Sequence, residues 1–189
     1  MRKSIASFPA FALLLFLLTP ATAIAGEALI DLGQPGALML PLPKGWSHEI
    51  GPVDADMPPT VILRTPNADF VVLVTPFWAQ EGAEPDYGTA GSVHRVVERS
   101  AAEIAAGAVE GQLTIEPVGG GRTGYMFFAT DKTPVGRTPA PDEYRYLIQG
   151  AVMVGDLLCT FTMLTNDKPS ANAELALGML RNAAHRTGA

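Results

Sequence analysis

The chain has 189 residues, 48% of them hydrophobic and 17% charged, and its 19 acidic and 13 basic side chains give a formal net charge of −6. This length corresponds to about one domain, and so many apolar residues exclude an intrinsically disordered chain. The single cysteine excludes both a disulfide framework and a zinc site of four cysteines. A net negative charge gives no field that attracts nucleic acid, so no nucleic-acid partner is expected.

The first 25 residues have the three parts of a secretory signal peptide. Two basic residues follow the initial Met, Ala10–Leu18 is an unbroken apolar run, and Ala23–Ala25 has the small-x-small pattern of a cleavage site. A bilayer span needs about 20 apolar residues, so this run is too short for an anchor. No cysteine that could carry a lipid follows the cleavage site. We predict a leader over residues 1–25 and a single exported domain over 26–189, without a stable membrane anchor, in the periplasm or alternatively outside the cell.

The first part of this domain is predicted to consist of strands. Apolar stretches around Leu29–Leu32 and over Ala37–Leu42 precede a turn sequence, Pro43-Lys44-Gly45-Trp46. Two runs rich in β-branched residues, Thr60–Thr65 and Asp69–Thr75, predict a hairpin. The second run is apolar on both faces, which indicates that both faces are covered.

A central helix is predicted over about Ser92–Ala108, because apolar residues recur there at spacings of three and four. Ser92 is the expected N-cap. Arg99 and Glu103 are four positions apart and are expected to form an ion pair on the polar side. The apolar stripe consists of Val93, Val96, Val97, Ala101, Ile104 and Ala108.

The second half is predicted to be strand-rich and to end in a helix. Strands are expected over Tyr125–Ala129, Tyr144–Val154 and Leu157–Met163, with a long loop at Lys132–Asp142 and a closing helix at about Ser170–His185. The whole pattern predicts an α+β fold, with a mostly antiparallel β-sheet of about six or seven strands flanked by two main helices.

Three glycines formally match the dinucleotide-binding fingerprint, at Gly119, Gly121 and Gly124. That motif requires a following helix, whose amide groups point at the pyrophosphate. Here an apolar strand pattern follows, which indicates a hairpin turn instead.

The remaining reactive side chains form no recognisable catalytic pattern. Cys159 lies among apolar residues of a predicted strand and is interpreted as a buried structural thiol rather than a nucleophile. His48, His94 and His185 lie in separate elements, and the common hydrolase, zinc-protease and P-loop motifs are absent. We therefore predict no catalytic residue, no metal site, no cofactor and no enzymatic activity.

Acidic residues cluster in two predicted loops. They are Glu49, Asp54 and Asp56 in the first loop and Glu81, Glu84 and Asp86 in the second. The twelve-residue spacing of a calcium loop is absent, which favours solvated acidic loops.

Two tryptophans are the candidate binding residues. Trp46 and Trp78 each follow a strand pattern and lie close to a proline, Pro43 or Pro76. An aromatic ring in this place either covers the end of the core or anchors a binding surface. The loop at Lys132–Asp142 is long for a hairpin, and it is either a loop that carries function or a simple insertion.

The segment Leu40–Trp46 (LPLPKGW) resembles the opening of the PsbP-like superfamily of α/β/α sandwiches, which includes exported bacterial proteins. The order of elements is similar too: opening strands, a helix, a run of antiparallel strands and a C-terminal helix. The resemblance implies a central antiparallel sheet flanked by helices, and accessory or binding work rather than catalysis. It implies no catalytic residues.

Taken with the leader, these features predict a non-catalytic exported accessory protein that binds another protein of the bacterial envelope. Three alternatives remain open: a binding protein for a small metabolite or lipid, an immunity-type inhibitor of a toxin, and a hydrolase with an unrecognised site. The oligomeric state is not specified by the sequence.

Overall fold

The structure, a computed structural model, describes residues 24–52, 57–79, 87–140, 143–168 and 171–188. Its elements in chain order are β1 (Ile24–Asp31), β2 (Ala37–Pro43), β3 (Ser47–Ile50), β4 (Val61–Arg64), β5 (Phe70–Phe77), α1 (Ala90–Ala105), β6 (Ile115–Pro117), β7 (Gly124–Thr130), β8 (Tyr146–Val154), β9 (Leu157–Thr165), α2 (Ala171–Arg181) and β10 (Ala184–Arg186). None of the helices in these ranges is long and apolar enough to cross a membrane.

The strands form two antiparallel sheets. The larger has seven strands in the order β3-β4-β5-β9-β8-β7-β6, and the smaller has the order β1-β2-β10. The predicted α+β fold with an antiparallel sheet and two helices is therefore confirmed. The hairpin predicted from the Thr60–Thr65 and Asp69–Thr75 runs is confirmed as well, because Val61 of β4 lies opposite Val74 of β5.

The two faces of the seven-stranded sheet are covered differently. On the face that carries Val72, Phe161 and Met163, which we call the closed face, the small sheet and α2 complete a single apolar core. On the opposite face, which we call the open face, α1 packs mainly on β7 and β8, against residues such as Phe127 and Ala151.

Strand β5 shows the consequence of this difference. Its closed-face residues Val72 and Val74 are fully buried, whereas its open-face residue Leu73 is half-buried. The predicted covering of both faces of this strand is thus complete on one face and partial on the other.

Helix α1 begins earlier than its apolar stripe indicates. Its N-cap is Thr89 and not Ser92, because the Thr89 hydroxyl accepts a hydrogen bond from the Ser92 backbone N–H at 3.2 Å. The Ser92 hydroxyl in turn accepts from the Thr89 backbone N–H at 3.0 Å, which completes a capping box. The helix ends at Ala105, and Ala108 forms an isolated β-bridge with Asp131 instead of a further helical turn.

The closing helix is shorter than predicted. It ends at Arg181, and Ala184–Arg186 forms β10, which pairs with β2. The helix end is held in place because the Arg122 guanidinium donates hydrogen bonds to the carbonyl oxygens of Arg181 at 2.8 Å and Ala183 at 2.6 Å. The chain that follows gains ladder hydrogen bonds with β2, which a further helical turn would not provide.

The glycine fingerprint is a turn between β6 and β7, as predicted. Gly119, Gly120 and Gly121 all have positive φ angles, of 83°, 67° and 72°, which only glycine adopts without strain. A Cβ atom on Gly120 would lie 2.9 Å from Cγ of Arg181, so the turn also packs closely on α2.

Candidate functional site

Trp46 lies in the core. Only 9% of its surface is exposed, and its ring centroid lies 5.7 Å from that of Phe70. The ring is directed there by a turn in which the Trp46 backbone N–H donates to the Pro43 carbonyl oxygen at 3.1 Å, with Gly45 at a φ of 84°. This burial corresponds to the core-covering alternative.

Trp78 is half-buried at the margin of the same core. The structure does not bring the two tryptophans together on an exposed surface. A binding role for either ring stays a prediction.

Cys159 is fully buried on the closed face. Burial raises the pKa of its thiol to about 12, although the positive charge of Arg122 opposes that change. At neutral pH the group is a thiol and not a thiolate, so it is a poor nucleophile.

The three histidines remain in separate environments. His48 is exposed on β3, the His94 ring lies edge-on to Tyr125 at 4.9 Å, and the His185 Nε2 atom lies 2.7 Å from the carbonyl oxygen of Pro35. Within the described ranges no three His, Cys, Asp or Glu side chains lie close enough to hold a metal ion.

The predicted acidic loops are only partly covered by the structure. Glu49 is an exposed residue of β3, and its carboxylate accepts a hydrogen bond from Arg64 at 3.4 Å. The other acidic positions lie outside the described residues: Asp54, Asp56, Glu81, Glu84 and Asp86.

A cavity of about 570 Å³ opens on the open face, where α1 ends. We call it the α1 cleft. It is lined by Glu103, Ile104, Gly107, Ala108, Ala129, Thr130, Asp131, Glu143, Tyr144, Leu147 and Leu164. Its position follows from the length of α1, because the helix stops before it covers this end of the sheet.

The floor of the α1 cleft is a row of apolar side chains from three neighbouring strands. Ala129 of β7 is the register partner of Leu147 of β8, which in turn is the partner of Leu164 of β9. Ile104 and Ala108 add an apolar wall from the end of α1 and the chain that follows it. The floor therefore suits an apolar group.

The rim of the α1 cleft carries negative charge. Glu103, Asp131 and Glu143 line it, and no lysine, arginine or histidine is among the described residues that do. The ion pair predicted between Arg99 and Glu103 is not formed; on this helix His94 and Glu98 approach to 4.0 Å instead. Among the described residues Glu103 has no hydrogen-bond or ion-pair partner.

A second concave surface shares Thr130 with the first. Its Tyr146 lies on the closed-face side of β8, where the ring is stacked on Phe128 at 5.9 Å. This loop groove has a volume of about 660 Å³ and is lined by Val109, Thr130, Val135, Gly136, Arg137, Thr138, Pro139, Arg145 and Tyr146. Its charged residues are arginines, in contrast to the carboxylates of the α1 cleft. Val109 and Val135 are 52% and 60% exposed, so apolar surface faces solvent here.

Ion pairs and hydrogen bonds hold the described part of the loop at Lys132–Asp142 in place. The Arg137 guanidinium donates two hydrogen bonds to the Glu143 carboxylate, one of them at 2.7 Å, and lowers the pKa of Glu143. Arg145 donates to the Arg137 carbonyl oxygen at 2.9 Å. The start of the loop is held by Glu110, whose carboxylate accepts from the Thr130 backbone N–H at 2.9 Å and from its hydroxyl at 2.7 Å.

Sequence reasoning did not find these two surfaces as a site. The one signal present was the length of the loop at Lys132–Asp142, whose residues Val135–Pro139 line the loop groove. The floor residues Ala129, Leu147 and Leu164 are far apart in the sequence and meet only through strand register.

No protein-family profile and no curated protein sequence matches the chain. Among solved structures, it is similar to the solution structure of cyanobacterial PsbP (CyanoP) from Synechocystis sp. PCC 6803. The TM-score is 0.47 at 15% sequence identity, and the similarity covers 89% of this chain and 99% of that chain. That structure is of a PsbP protein, the family whose opening the Leu40–Trp46 segment resembles.

Proposed function

We propose that this protein is a non-catalytic accessory protein of the bacterial envelope, and that it binds another protein with the α1 cleft and the loop groove. One observation carries this proposal: two concave surfaces of different charge share Thr130, and the chain from Val135 to Pro139 lines the second of them. Together they offer an extended surface with apolar and charged parts, which is the composition of a protein interface.

Exposed apolar residues support a macromolecular partner. Val109 and Val135 both line the loop groove and are more than half exposed. Solvent-exposed apolar side chains that lie together and are surrounded by polar groups are typical of interaction surfaces.

The arrangement of β1 is compatible with export and removal of the leader. The pairing of β1 with β2 shifts register between Ile24 and Gly26 and then continues regularly from Gly26 to Asp31. Cleavage after Ala25 would therefore leave the regular part of this strand intact.

The proposal of a non-catalytic role rests on the state of the reactive groups. The Cys159 thiol is buried and protonated at neutral pH, and the histidines lie apart from one another. Nucleophilic or acid–base catalysis needs such groups within hydrogen-bond reach of each other and of a substrate.

Photo-cross-linking in living cells tests the proposal. A benzophenone amino acid replaces Val135, which lines the loop groove, or Leu29, which is a 56% exposed apolar residue of the small sheet and serves as the control. We expect one envelope protein to be cross-linked from position 135 and not from position 29. Equal adducts from both positions, or none from position 135, would contradict it. Mass spectrometry of the purified protein tests export separately, with Gly26 expected as the first residue.

A second candidate function is the binding of a small apolar ligand in the α1 cleft. The cleft volume of about 570 Å³ lies within the usual range for ligand pockets, about 300–1,000 Å³. A rise in melting temperature with one compound from a metabolite or lipid panel, lost in Leu147→Asp, would favour this function.

A further inference from the structure

The chemistry of the α1 cleft specifies what it can hold. Its floor of Ala129, Leu147 and Leu164 is apolar, and its rim of carboxylates is negative. A group that satisfies both parts has an apolar stem and a cationic end. Lysine and arginine side chains have this construction, because their methylene stems pack on apolar surface while the charged ends stay at the rim.

Two cations beside the cleft already have partners within the chain. The Lys132 ammonium donates to the Ala106 carbonyl oxygen at 3.0 Å, and the Arg137 guanidinium is bound to Glu143. Asp131 uses one oxygen to accept from the Thr133 backbone N–H at 2.8 Å. Glu103 therefore retains its full capacity for an external cation, and Asp131 retains part of it.

We propose that the α1 cleft binds a lysine or arginine side chain carried on an apolar segment of the partner protein. This inference rests on the proposed function, because a protein segment can place the cation in the cleft and its apolar neighbours in the adjoining loop groove, against Val109 and Val135. The carboxylates at the rim favour the cationic end of the side chain, and the apolar floor favours its methylene stem.

The test uses the full-length domain and a fluorescein-labelled, end-blocked peptide, Gly-Leu-Leu-Lys-Leu-Leu-Gly. A matched peptide with norleucine in place of lysine keeps the apolar stem and removes the charge. We expect the lysine peptide to bind about fivefold more tightly by fluorescence anisotropy at low salt, as for a favourable ion pair near a protein surface. The preference should decrease as sodium chloride is added.

A protein variant and its control assign this preference to the cleft. Glu103→Gln removes the carboxylate without a partner and should reduce the preference to about twofold, because Asp131 still contributes. Glu98→Gln is the control. Glu98 is an exposed residue of the same helix, but its carboxylate does not line the cleft, so this variant should leave the preference unchanged. Circular dichroism melting of both variants shows that they remain folded.

Several results would overturn the inference. They are equal affinity for the two peptides, no binding of either, a preference that Glu103→Gln leaves intact, or tighter binding of octylamine than of the lysine peptide, which would assign the cleft to a small amine. None of these results depends on the cross-link from position 135. A partner captured there without a charge preference in the cleft would reject this inference alone, and a charge preference without a captured partner would reject the proposed function.

Discussion

The closed and open faces of the seven-stranded sheet differ in what covers them. On the closed face, the small sheet and α2 leave Val72, Phe161 and Met163 at most 1% exposed. On the open face, α1 stops at Ala105, and Leu147 and Leu164 remain half-buried beside the cleft.

Under the proposed function, this difference separates stability from recognition within one sheet. The closed face buries most of the large side chains, and burial of apolar surface is the main source of folding free energy. The open face leaves apolar side chains partly exposed and surrounds them with carboxylates, which lowers stability slightly but leaves a surface to which a partner can bind.

The largest expected effect is the low reactivity of the Cys159 thiol in the native protein, compared with that of an ordinary cysteine. With a thiol pKa of about 12, the thiolate fraction at pH 8 is roughly a thousandfold below that of an ordinary cysteine with a pKa of about 8.5. We expect iodoacetamide to leave the native protein unmodified and to modify it once per chain in guanidinium chloride, as measured by mass spectrometry. Rapid alkylation of the native protein would show that the closed face is open to solvent.

The next effect concerns the closed-face core. Phe161 is 1% exposed. Its ring packs so closely on Gly150 that a Cβ atom added to this glycine would lie 2.7 Å from the Phe161 Cζ atom. Phe161→Ala should lower the free energy of unfolding by about 3–5 kcal/mol, because it leaves a cavity in a closely packed region. Urea denaturation measures this loss. A loss comparable to that of the neighbouring open-face variant Thr162→Ala would contradict the assignment of the core.

A smaller effect is expected on the open face. Leu147 is half-buried on the floor of the α1 cleft, so Leu147→Ala should cost only about 1 kcal/mol of unfolding free energy. It should also weaken both the lysine and the norleucine peptides to a similar degree, since it changes the floor and not the rim. Loss of binding of the lysine peptide alone would be inconsistent with this division of roles.

The smallest effect is a pH dependence at the edge of the loop groove. Partial burial by itself would raise the pKa of Glu110, but the hydrogen bonds from Thr130 outweigh it and lower that pKa. Because the folded-state pKa is the lower one, the stabilisation is complete above the ordinary carboxyl pKa of about 4.3 and is lost as the pH falls through the folded-state value.

Glu110→Gln should therefore flatten the acid limb of the stability curve by about a few tenths of a kcal/mol, measured by urea denaturation between about pH 3 and pH 6. Glu116→Gln is the control, because the Glu116 side chain is exposed and its carboxylate has no hydrogen-bond partner among the described residues. Equal curves for the wild type and Glu110→Gln would show that the contact with Thr130 does not persist in solution.

The parts of the fold that local patterns specify could be predicted from the sequence. The alternation in Leu157–Met163 gave both the strand and its buried face, and the residues after Gly124 distinguished a hairpin from a nucleotide-binding turn. The small sheet was only half predicted. Ala184 continues the spacing of the α2 stripe, and only its pairing with Met39 makes it part of a strand.

The candidate site could not be predicted in the same way. The floor of the cleft depends on the register of three strands. The Glu103 carboxylate is free because the helix does not form the expected ion pair between Arg99 and Glu103. Both are properties of tertiary structure. The tryptophans were the visible candidates because aromatic residues at strand ends are conspicuous in a sequence, whereas Trp46 is largely a core residue.

The most direct test of the division between the two faces is hydrogen–deuterium exchange, with and without the protein cross-linked from position 135. The amides that line the α1 cleft and the loop groove, in residues 104–110, 130–139 and 143–146, should exchange more slowly in the complex, and those of β1 and β3 should not change. Protection confined to β1, β2 or β3, with no change around the cleft, would contradict the assignment of recognition to the α1 cleft and the loop groove.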